Sequence, residues 1–406
     1  MTTSPVSVSA IPDPATTASR NSRLFFRELS NPRLVVSNIT PNWFASVMGT
    51  GIVANAAATL PLFAPQLRAF ATVIWLVASV LLVGLLAATA AHWLTHRNVA
   101  RSHHRNPVMA HFYGAPPMAL LTVGAGTLLL GPAVLGTDTA LTIALTLWSV
   151  GTTLGLVTAV VVPFLMFTSL STTDDSAFGG WLMPVVPPMV SAATGAALIP
   201  HLPEGETRLT MLLACYAMFG LSLIASFVII TLIWGRLVRH KIGASAAVPT
   251  LWIILGPLGQ SITAVNLLGA VAHFAVPADL ADALTFFGII YGIPTLGFAL
   301  LWVALAITMT VHTARRGLPF SLTWWSFTFP VGTLVTGISA LALHTESHVL
   351  EWMAVFGYAS LSGAWLIVAI RTFNGSVLRG TLFLAPAPPA TADAASTTTD
   401  GTATAL

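Results

Sequence analysis

The feature that most constrains this chain is a series of ten apolar stretches, each of which contains a window of about twenty apolar residues. A helix of about twenty apolar residues just crosses the hydrocarbon core of a bilayer. Apart from boundary residues such as Arg208, Asp282 and Glu351, and Arg371 at the last exit, the stretches contain no Asp, Glu, Lys or Arg. Each therefore predicts a transmembrane helix. The stretches are 42–60, 69–94, 108–131, 139–168, 181–200, 208–235, 250–274, 282–311, 324–343 and 351–372.

The composition supports an all-α integral membrane protein. Only 7% of the residues are charged, against about 25% in soluble domains. We predict one ten-helix transmembrane domain over residues 39–374. The polar segment 1–38 has no apolar core of the secretory-signal type, and 375–406 is rich in Ala, Pro and Thr. Both segments are predicted to be disordered tails, and from about Leu382 the chain has nothing apolar to bury.

The basic residues predict the orientation. Fourteen of the sixteen Lys and Arg residues fall on one side of the ten stretches, and only Arg68 and Arg208 fall on the other. Because basic loops stay in the cytoplasm, both termini are predicted to be cytoplasmic and the protein to lie in the inner (plasma) membrane. Contact with anionic membrane lipid is expected for the same residues.

The odd-numbered stretches share a pattern of glycine and proline. Anchors at Gly49, Pro117, Pro188, Pro257 and Pro330 are spaced by 68, 71, 69 and 73 residues. A nearly constant period indicates repeated helical hairpins. We therefore predict five hairpins whose odd helices, kinked at these four prolines, form an inner ring around a central pore. Two inverted halves are disfavoured, because 208–235 lacks the glycine and proline pattern of 42–60.

The ninth stretch, WWSFTFPVGTLVTGISALAL, combines membrane-spanning length with Pro330. A proline inside a helix removes one hydrogen bond and blocks another. In lipid, freed backbone groups are tolerated only where protein or a water-filled cavity satisfies them. This helix is therefore predicted to lie at the pore, with the rings of Phe327 and Phe329 beside the break.

Neutral polar residues of the odd stretches are the candidate pore lining. With no charge in the helix cores, hydroxyl and amide donors and helix N-termini would have to attract an anion. A weak site of this kind suits conduction, although each hydroxyl could equally bond its own helix. The candidates are Thr50, Asn55, Thr122, Thr127, Ser191, Thr194, Gln260, Ser261, Thr263, Asn266, Thr328, Thr333 and Thr336.

Histidines at predicted helix ends are His92, His111, His273 and His344. No two of these four histidines are spaced i, i+4 from each other, and no metal site and no cofactor are predicted. His111, within AHFYG, is the candidate proton-sensitive residue. No acidic residue lies within the membrane to complete a proton relay, which argues against obligatory proton pumping.

Three segments carry a family resemblance: PNWFASVMGTGIVA (41–54), AHFYGAPPMALLTVG (110–124) and WWSFTFPVG (324–332). They resemble the tellurite-resistance and C4-dicarboxylate transporter family, which includes plant slow anion channels, fungal malate permeases and sulfite efflux proteins. The resemblance covers about 40–374. It implies ten helices with five lining a pore, a homotrimer with one pore per subunit, and a phenylalanine of the ninth helix that closes the pore. Here that gate is Phe329, with Phe327 as the second candidate.

Several functions stay open at this point. The first is a gated permease for small anions, either monovalent inorganic ions or small organic acids. The alternatives are a sulfite exporter and a proton-coupled carrier of malate or succinate, for which only Arg371 lies near a helix end. A remote alternative is a haem or quinone oxidoreductase that uses His92 and His111. Nothing in the loops indicates an enzyme domain or a nucleic-acid surface.

Overall fold

The computed structural model describes residues 25–29, 31 and 34–384, and this part of the chain is helical without a β-strand. Its α-helices, numbered in chain order, are α1 (Leu34–Ser37), α2 (Phe44–Ala58), α3 (Ala64–Thr95), α4 (Arg97–His103), α5 (Ala115–Leu130), α6 (Pro132–Leu135), α7 (Thr137–Thr168), α8 (Pro187–Ala196), α9 (Glu206–His240), α10 (Leu255–Val271), α11 (Ala278–Ala314), α12 (Phe329–Thr345) and α13 (His348–Phe373).

Five of these helices are long and expose apolar side chains. Helices α3, α7, α9, α11 and α13 contain 26 to 37 residues. Even 26 residues extend about 39 Å at 1.5 Å per residue, more than the roughly 30 Å of a hydrocarbon core. Side chains such as Val80, Ile224 and Ile290 point outward from these helices. Such a surface suits lipid, and the even-numbered predicted stretches match these helices to within a few residues.

Five short helices, α2, α5, α8, α10 and α12, are almost entirely buried. A short 3-10 helix precedes each of them: Pro41–Trp43, Met109–Gly114, Gly179–Leu182, Ser245–Ile254 and Leu322–Phe327. Pro117, Pro188, Pro257 and Pro330 lie in the first turns of the α-helices that follow. A proline is tolerated there because the first-turn N–H has no partner within the helix. The four prolines thus begin α-helices after 3-10 segments and do not bend continuous ones.

Eight helical segments of the described residues are long and apolar enough to cross a membrane. The two predicted stretches without such a segment are 42–60 and 181–200. Helix α2 has 15 residues and α8 has only 10. In stretch 181–200 three prolines, Pro184, Pro187 and Pro188, cannot donate backbone hydrogen bonds. The regular helix therefore begins only at Pro187, six residues after the start of the predicted stretch. The count of ten transmembrane helices stays a prediction.

The short helices contact one another in chain order. Helix α2 packs against α5, α5 against α8, α8 against α10, α10 against α12, and α12 against α2. Each also packs against the long helix that follows it in the chain. The crossing of α10 and α12 is especially close at Gly259, where a methyl group would collide with the backbone of Thr333 and Leu334.

Tryptophans of four long helices are hydrogen-bonded to the short helices or their 3-10 extensions. Trp75 and Trp365 donate their indole N–H groups to the hydroxyls of Thr127 and Thr50, each at 3.2 Å. Trp148 and Trp302 donate to the carbonyl oxygens of Ser191 and Leu251, each at 2.9 Å. Buried indole N–H groups usually need such partners. These bonds fix the long helices onto the buried ones.

The described residues near the N-terminus pack against those that follow the last long helix. The backbone N–H groups of Phe26, Arg27 and Glu28 donate to the carbonyl oxygens of residues 377–379, and Trp43 stacks on Phe383 at a centroid distance of 4.8 Å. Residues 1–24 and 385–406, most of the two predicted tails, lie outside the described residues. Their predicted disorder stays a prediction.

Candidate functional site

The short helices enclose a cavity of about 270 Å³, called here the vestibule. All five short helices contribute to its wall, through residues such as Ile52, Thr122, Val190, Gln260 and Thr336. No Asp, Glu, Lys, Arg or His is among the lining residues. The vestibule is therefore a mostly apolar space with a few neutral polar groups.

A second, much smaller cavity of about 30 Å³, the neck pocket, lies where the short helices begin. Its wall includes Ala45, Met118, Gly256 and Pro330, which belong to the first turns of α2, α5, α10 and α12. Val186, directly before α8, also lines it. The N-terminal ends of all five short helices thus surround one small space.

Phe329 is the one described residue that lines both the vestibule and the neck pocket. It is the first residue of α12 and is 5% exposed. Thr328 before it leaves the helical geometry, with φ −109° and ψ −73°, and its hydroxyl donates to the Trp325 carbonyl oxygen at 2.7 Å. The break predicted at Phe329–Pro330 therefore places this ring between the two cavities.

The hydroxyls of the vestibule are already engaged. Each lies within hydrogen-bond distance of a carbonyl oxygen three or four residues earlier in its own segment, a contact that Ser and Thr in helices often make. These hydroxyls belong to Thr59, Thr122, Thr194, Thr263, Thr336 and Ser339. In this arrangement they turn lone pairs, and no free hydrogen, toward the vestibule.

Gln260 differs from these residues. It is 5% exposed and lines the vestibule, yet its side-chain amide has no hydrogen-bond partner among the described residues. A free amide group offers two N–H donors. Asn55 has already used one donor on the Thr122 carbonyl oxygen at 3.0 Å. Gln260 is therefore the main free donor of the vestibule.

The structure brings six of the thirteen predicted lining residues to the vestibule: Asn55, Thr122, Thr194, Gln260, Thr263 and Thr336. The other seven, Thr50, Thr127, Ser191, Ser261, Asn266, Thr328 and Thr333, lie outside the lining. Several of these meet outer helices instead. Thr50, Thr127 and the Ser191 carbonyl oxygen accept from tryptophans, Ser261 accepts from the Tyr291 hydroxyl at 2.8 Å, and Asn266 bonds Gly288 and His344.

Phe327, the second predicted gate, lies outside both central cavities. Its ring packs edge-on against Trp252 and Trp324, at centroid distances of 5.5 and 5.6 Å. Phe327 precedes the break in the helix and Phe329 follows it, so their side chains leave the chain in different directions. Of the two, only Phe329 is positioned between the cavities.

A third cavity, the basic mouth, adjoins the neck pocket. It measures about 490 Å³ and is lined by Arg236, His240, Asp175 and Thr250, among others. Phe112 lines both the basic mouth and the neck pocket. The three cavities thus follow one another, with Phe112 at the first junction and Phe329 at the second. Neither Phe112 nor Arg236 was among the predicted site residues.

The two histidines considered for a haem lie in different surroundings. His92 donates its Nδ1–H to the Val36 carbonyl oxygen at 2.8 Å, and its ring stacks on His96 and His103. His111 packs against Phe178 and Trp181, and its buried Nδ1 has no partner among the described residues. Within the described ranges no group of three His, Cys, Asp or Glu residues could hold a metal.

In this structure long apolar helices surround buried short helices, and the short helices line successive cavities. Such an arrangement is typical of membrane channels and transporters. The family model for SLAC1, the voltage-dependent anion channel, matches residues 38–373. The chain therefore belongs to this family of anion transporters, as the three sequence segments indicated.

Three individual relatives share a low sequence identity with this chain, 27% in each case. The sulfite efflux pump SSU1 of Arthroderma otae is 27% identical over 345 residues, covering 84% of this chain and 91% of the fungal protein. The SSU1 pump of Trichophyton rubrum is also 27% identical over 345 residues, with the same coverage. An uncharacterized transporter of Methanocaldococcus jannaschii is 27% identical over 352 residues, covering 85% of this chain and 97% of that protein.

Proposed function

We propose that this protein moves small anions through the basic mouth, the neck pocket and the vestibule, along an axis enclosed by the five short helices. In this proposal the short helices form the inner ring and Phe329 is the gate. The observation that carries the proposal is that Phe329 is the one described residue lining both central cavities. A ring at that position has to move before an ion can pass from one cavity to the other.

Electrostatics support an anion as the substrate. The walls of the neck pocket and the vestibule contain no ionisable side chain. The five helix N-termini around the neck pocket carry partial positive charge, and an acidic side chain that would cancel this charge is missing from the wall. A cation would meet the positive ends of the helices, whereas an anion is attracted to them.

A small anion fits this path better than a dicarboxylate. The vestibule offers Gln260 and apolar side chains, without an arginine for a second carboxylate. Arg371, the only candidate for that role, stacks on Trp324 outside the cavities, with its Cζ 4.9 Å from the ring centroid. Because two relatives are sulfite efflux pumps, sulfite is the first anion to test. Proton-coupled malate transport is the second candidate.

The orientation and assembly are proposed on the same basis. The basic residues of the sequence put the basic mouth and both termini in the cytoplasm, so an exported anion would enter at Arg236. A homotrimer with one path per subunit is the assembly that we propose from the family resemblance.

The test is anion flux in liposomes that contain the purified protein. Chloride, nitrate, sulfite and malate are compared with and without a pH gradient, and protein-free liposomes serve as the control. The proposal predicts flux of at least one of the small anions in the absence of a pH gradient. Malate flux that requires a proton gradient, with no flux of the small anions, would support the dicarboxylate carrier instead.

A further inference from the structure

Arg236 is a buried charge at the basic mouth, outside the vestibule and the neck pocket. It lies near the end of α9, and only 6% of the residue is exposed. Burying a charge costs several kcal/mol unless partners compensate it. Nε donates to the Ala177 carbonyl oxygen at 2.9 Å, and Nη1 donates to the carbonyl oxygens of Lys241 and Ile242 at 2.7 and 3.1 Å.

These three bonds leave part of the guanidinium free. A guanidinium has five N–H donors, and the two on Nη2 have no acceptor among the described residues. Among the described residues the ion pairs are Arg208 with Glu204 and His348 with Glu351, so no described carboxylate lies within 4.0 Å of Arg236. The carbonyl oxygens carry only partial charge. The positive charge at the wall of this cavity of about 490 Å³ is therefore offset only in part, by these dipoles and by the more distant Asp175 in the same lining.

The geometry points to an anion-binding site at the basic mouth, in which Nη2 of Arg236 holds a small anion before it enters the neck pocket. His240 lines the same cavity and can contribute a further donor, whereas the Thr250 hydroxyl already donates to the Ala247 carbonyl oxygen at 2.6 Å. Phe112 separates this site from the neck pocket. The inference rests on the proposed anion transport, since it assigns the site to the transported ion.

Asp175 offers a way to test the site without touching Arg236. It is the acidic residue in the lining of the basic mouth, and the Thr173 hydroxyl donates to its carboxylate. This hydrogen bond lowers the pKa of Asp175, so the carboxylate is negative at neutral pH and opposes anion binding. Asp174 is its neighbour in sequence and is also exposed, but it does not line the cavity. The two residues form a matched pair.

The experiment is the dependence of chloride and sulfite current on anion concentration in patches from giant liposomes, measured from each side. For Asp175→Asn we expect the half-saturating anion concentration to fall about two- to threefold, and only when the anion is supplied from one side of the patch. A change of this size is typical of interactions between exposed charges. Asp174→Asn should match the wild type. Arg236→Gln should raise the half-saturating concentration about fivefold or more, because a partly buried cation is lost, and Arg236→Lys should lie in between. Equal curves for both Asp variants and an unchanged half-saturating concentration in Arg236→Gln would overturn the site.

A second readout separates this inference from the proposed function. Anion binding to the detergent-solubilised protein is measured as the rise of the unfolding temperature with chloride or sulfite concentration, for the wild type and the same variants. If the wild type carries no anion current but Asp175→Asn strengthens this rise and Asp174→Asn does not, the transport proposal fails and the binding site stands. If the wild type carries current and neither readout distinguishes the Asp variants, the site fails and the transport proposal stands. Arg236→Gln removes three hydrogen bonds, so its unfolding temperature without anion is recorded as well.

Discussion

The hydroxyl oxygens of Thr263 and Thr336 lie 2.9 Å apart and join α10 to α12 at the wall of the vestibule. Both hydroxyls also contact carbonyl oxygens of their own helices, at 3.0 Å in each case. Each hydroxyl has only one hydrogen to donate, so this network consumes the hydrogens. Thr263 and Thr336, two of the predicted lining residues, therefore join α10 to α12 and offer no free hydrogen to an anion.

Gln260 should consequently matter more for anion conduction than the threonines. Replacing it with Glu places a negative charge in a wall without ionisable groups, and repulsion at low dielectric is strong. We expect Gln260→Glu to lower anion flux at least about tenfold, and Gln260→Leu to lower it less. Thr333→Val, in the same crossing but outside the vestibule lining, is the control. Flux in Gln260→Glu that equals the wild-type value would exclude Gln260 from the path.

Phe112 should control flux only when Phe329 is removed. The two rings lie at successive junctions between the three cavities, and resistances in series are dominated by the larger one. Phe112→Ala alone is expected to leave chloride flux within about twofold of the wild type. Combined with Phe329→Ala, it should raise flux above that of the Phe329 single variant. The prediction fails if the double variant and the Phe329 single variant conduct equally.

Trp75 should contribute to stability and not to selectivity. Its indole N–H donates to Thr127, and a typical hydrogen bond of this kind contributes about 1 kcal/mol to the free energy of unfolding. Trp75→Phe keeps the apolar ring and removes this donor. We expect a lower unfolding temperature in detergent with unchanged relative flux of chloride and nitrate. A shift in the ratio of the two anions would show that Thr127 acts in the path after all.

Acid should destabilise the segment that contains His103. Burial, followed by the neighbouring charges of His92 and His104, lowers the pKa of His103 from 6.5. The folded protein then binds fewer protons here than the unfolded chain, so its stability is full above pH 6.5 and falls as the pH drops below that value. The unfolding temperature of His103→Gln should decline less on acidification than that of the wild type. His201→Gln, at an exposed histidine, is the control, and equal declines in all three proteins would contradict the prediction.

The sequence predicted the long helices well and the short ones less well. Apolar composition is sufficient to place α3 or α11, because lipid favours any apolar helix of that length. The start of a short helix depends on the local backbone geometry, such as that of the 3-10 segment Leu322–Phe327 before Pro330. The sequence pointed to the helix break there, but not to the 3-10 geometry that produces it.

Some residues of the candidate site could likewise be predicted from the sequence, and others could not. Phe329 and Gln260 could be found from the proline and the polar pattern, because both lie on buried helices. Thr50 and Thr127 could not be excluded, since their partners Trp365 and Trp75 lie 315 and 52 residues away in the chain. Arg236 was counted only as a marker of orientation. Its role at the basic mouth depends on the loops at Ala177 and Ile242, whose positions the sequence does not reveal.

The measurement that tests the account most directly compares Phe329→Ala with Phe327→Ala in the liposome flux assay. Both substitutions remove a phenyl ring within three residues of the helix break, but only Phe329 lies between the cavities. We expect Phe329→Ala to raise chloride and nitrate flux severalfold without a pH gradient, and Phe327→Ala to leave flux close to the wild-type value. Unchanged flux in a folded Phe329→Ala protein, or an equal increase in both variants, would contradict the proposed path and its gate.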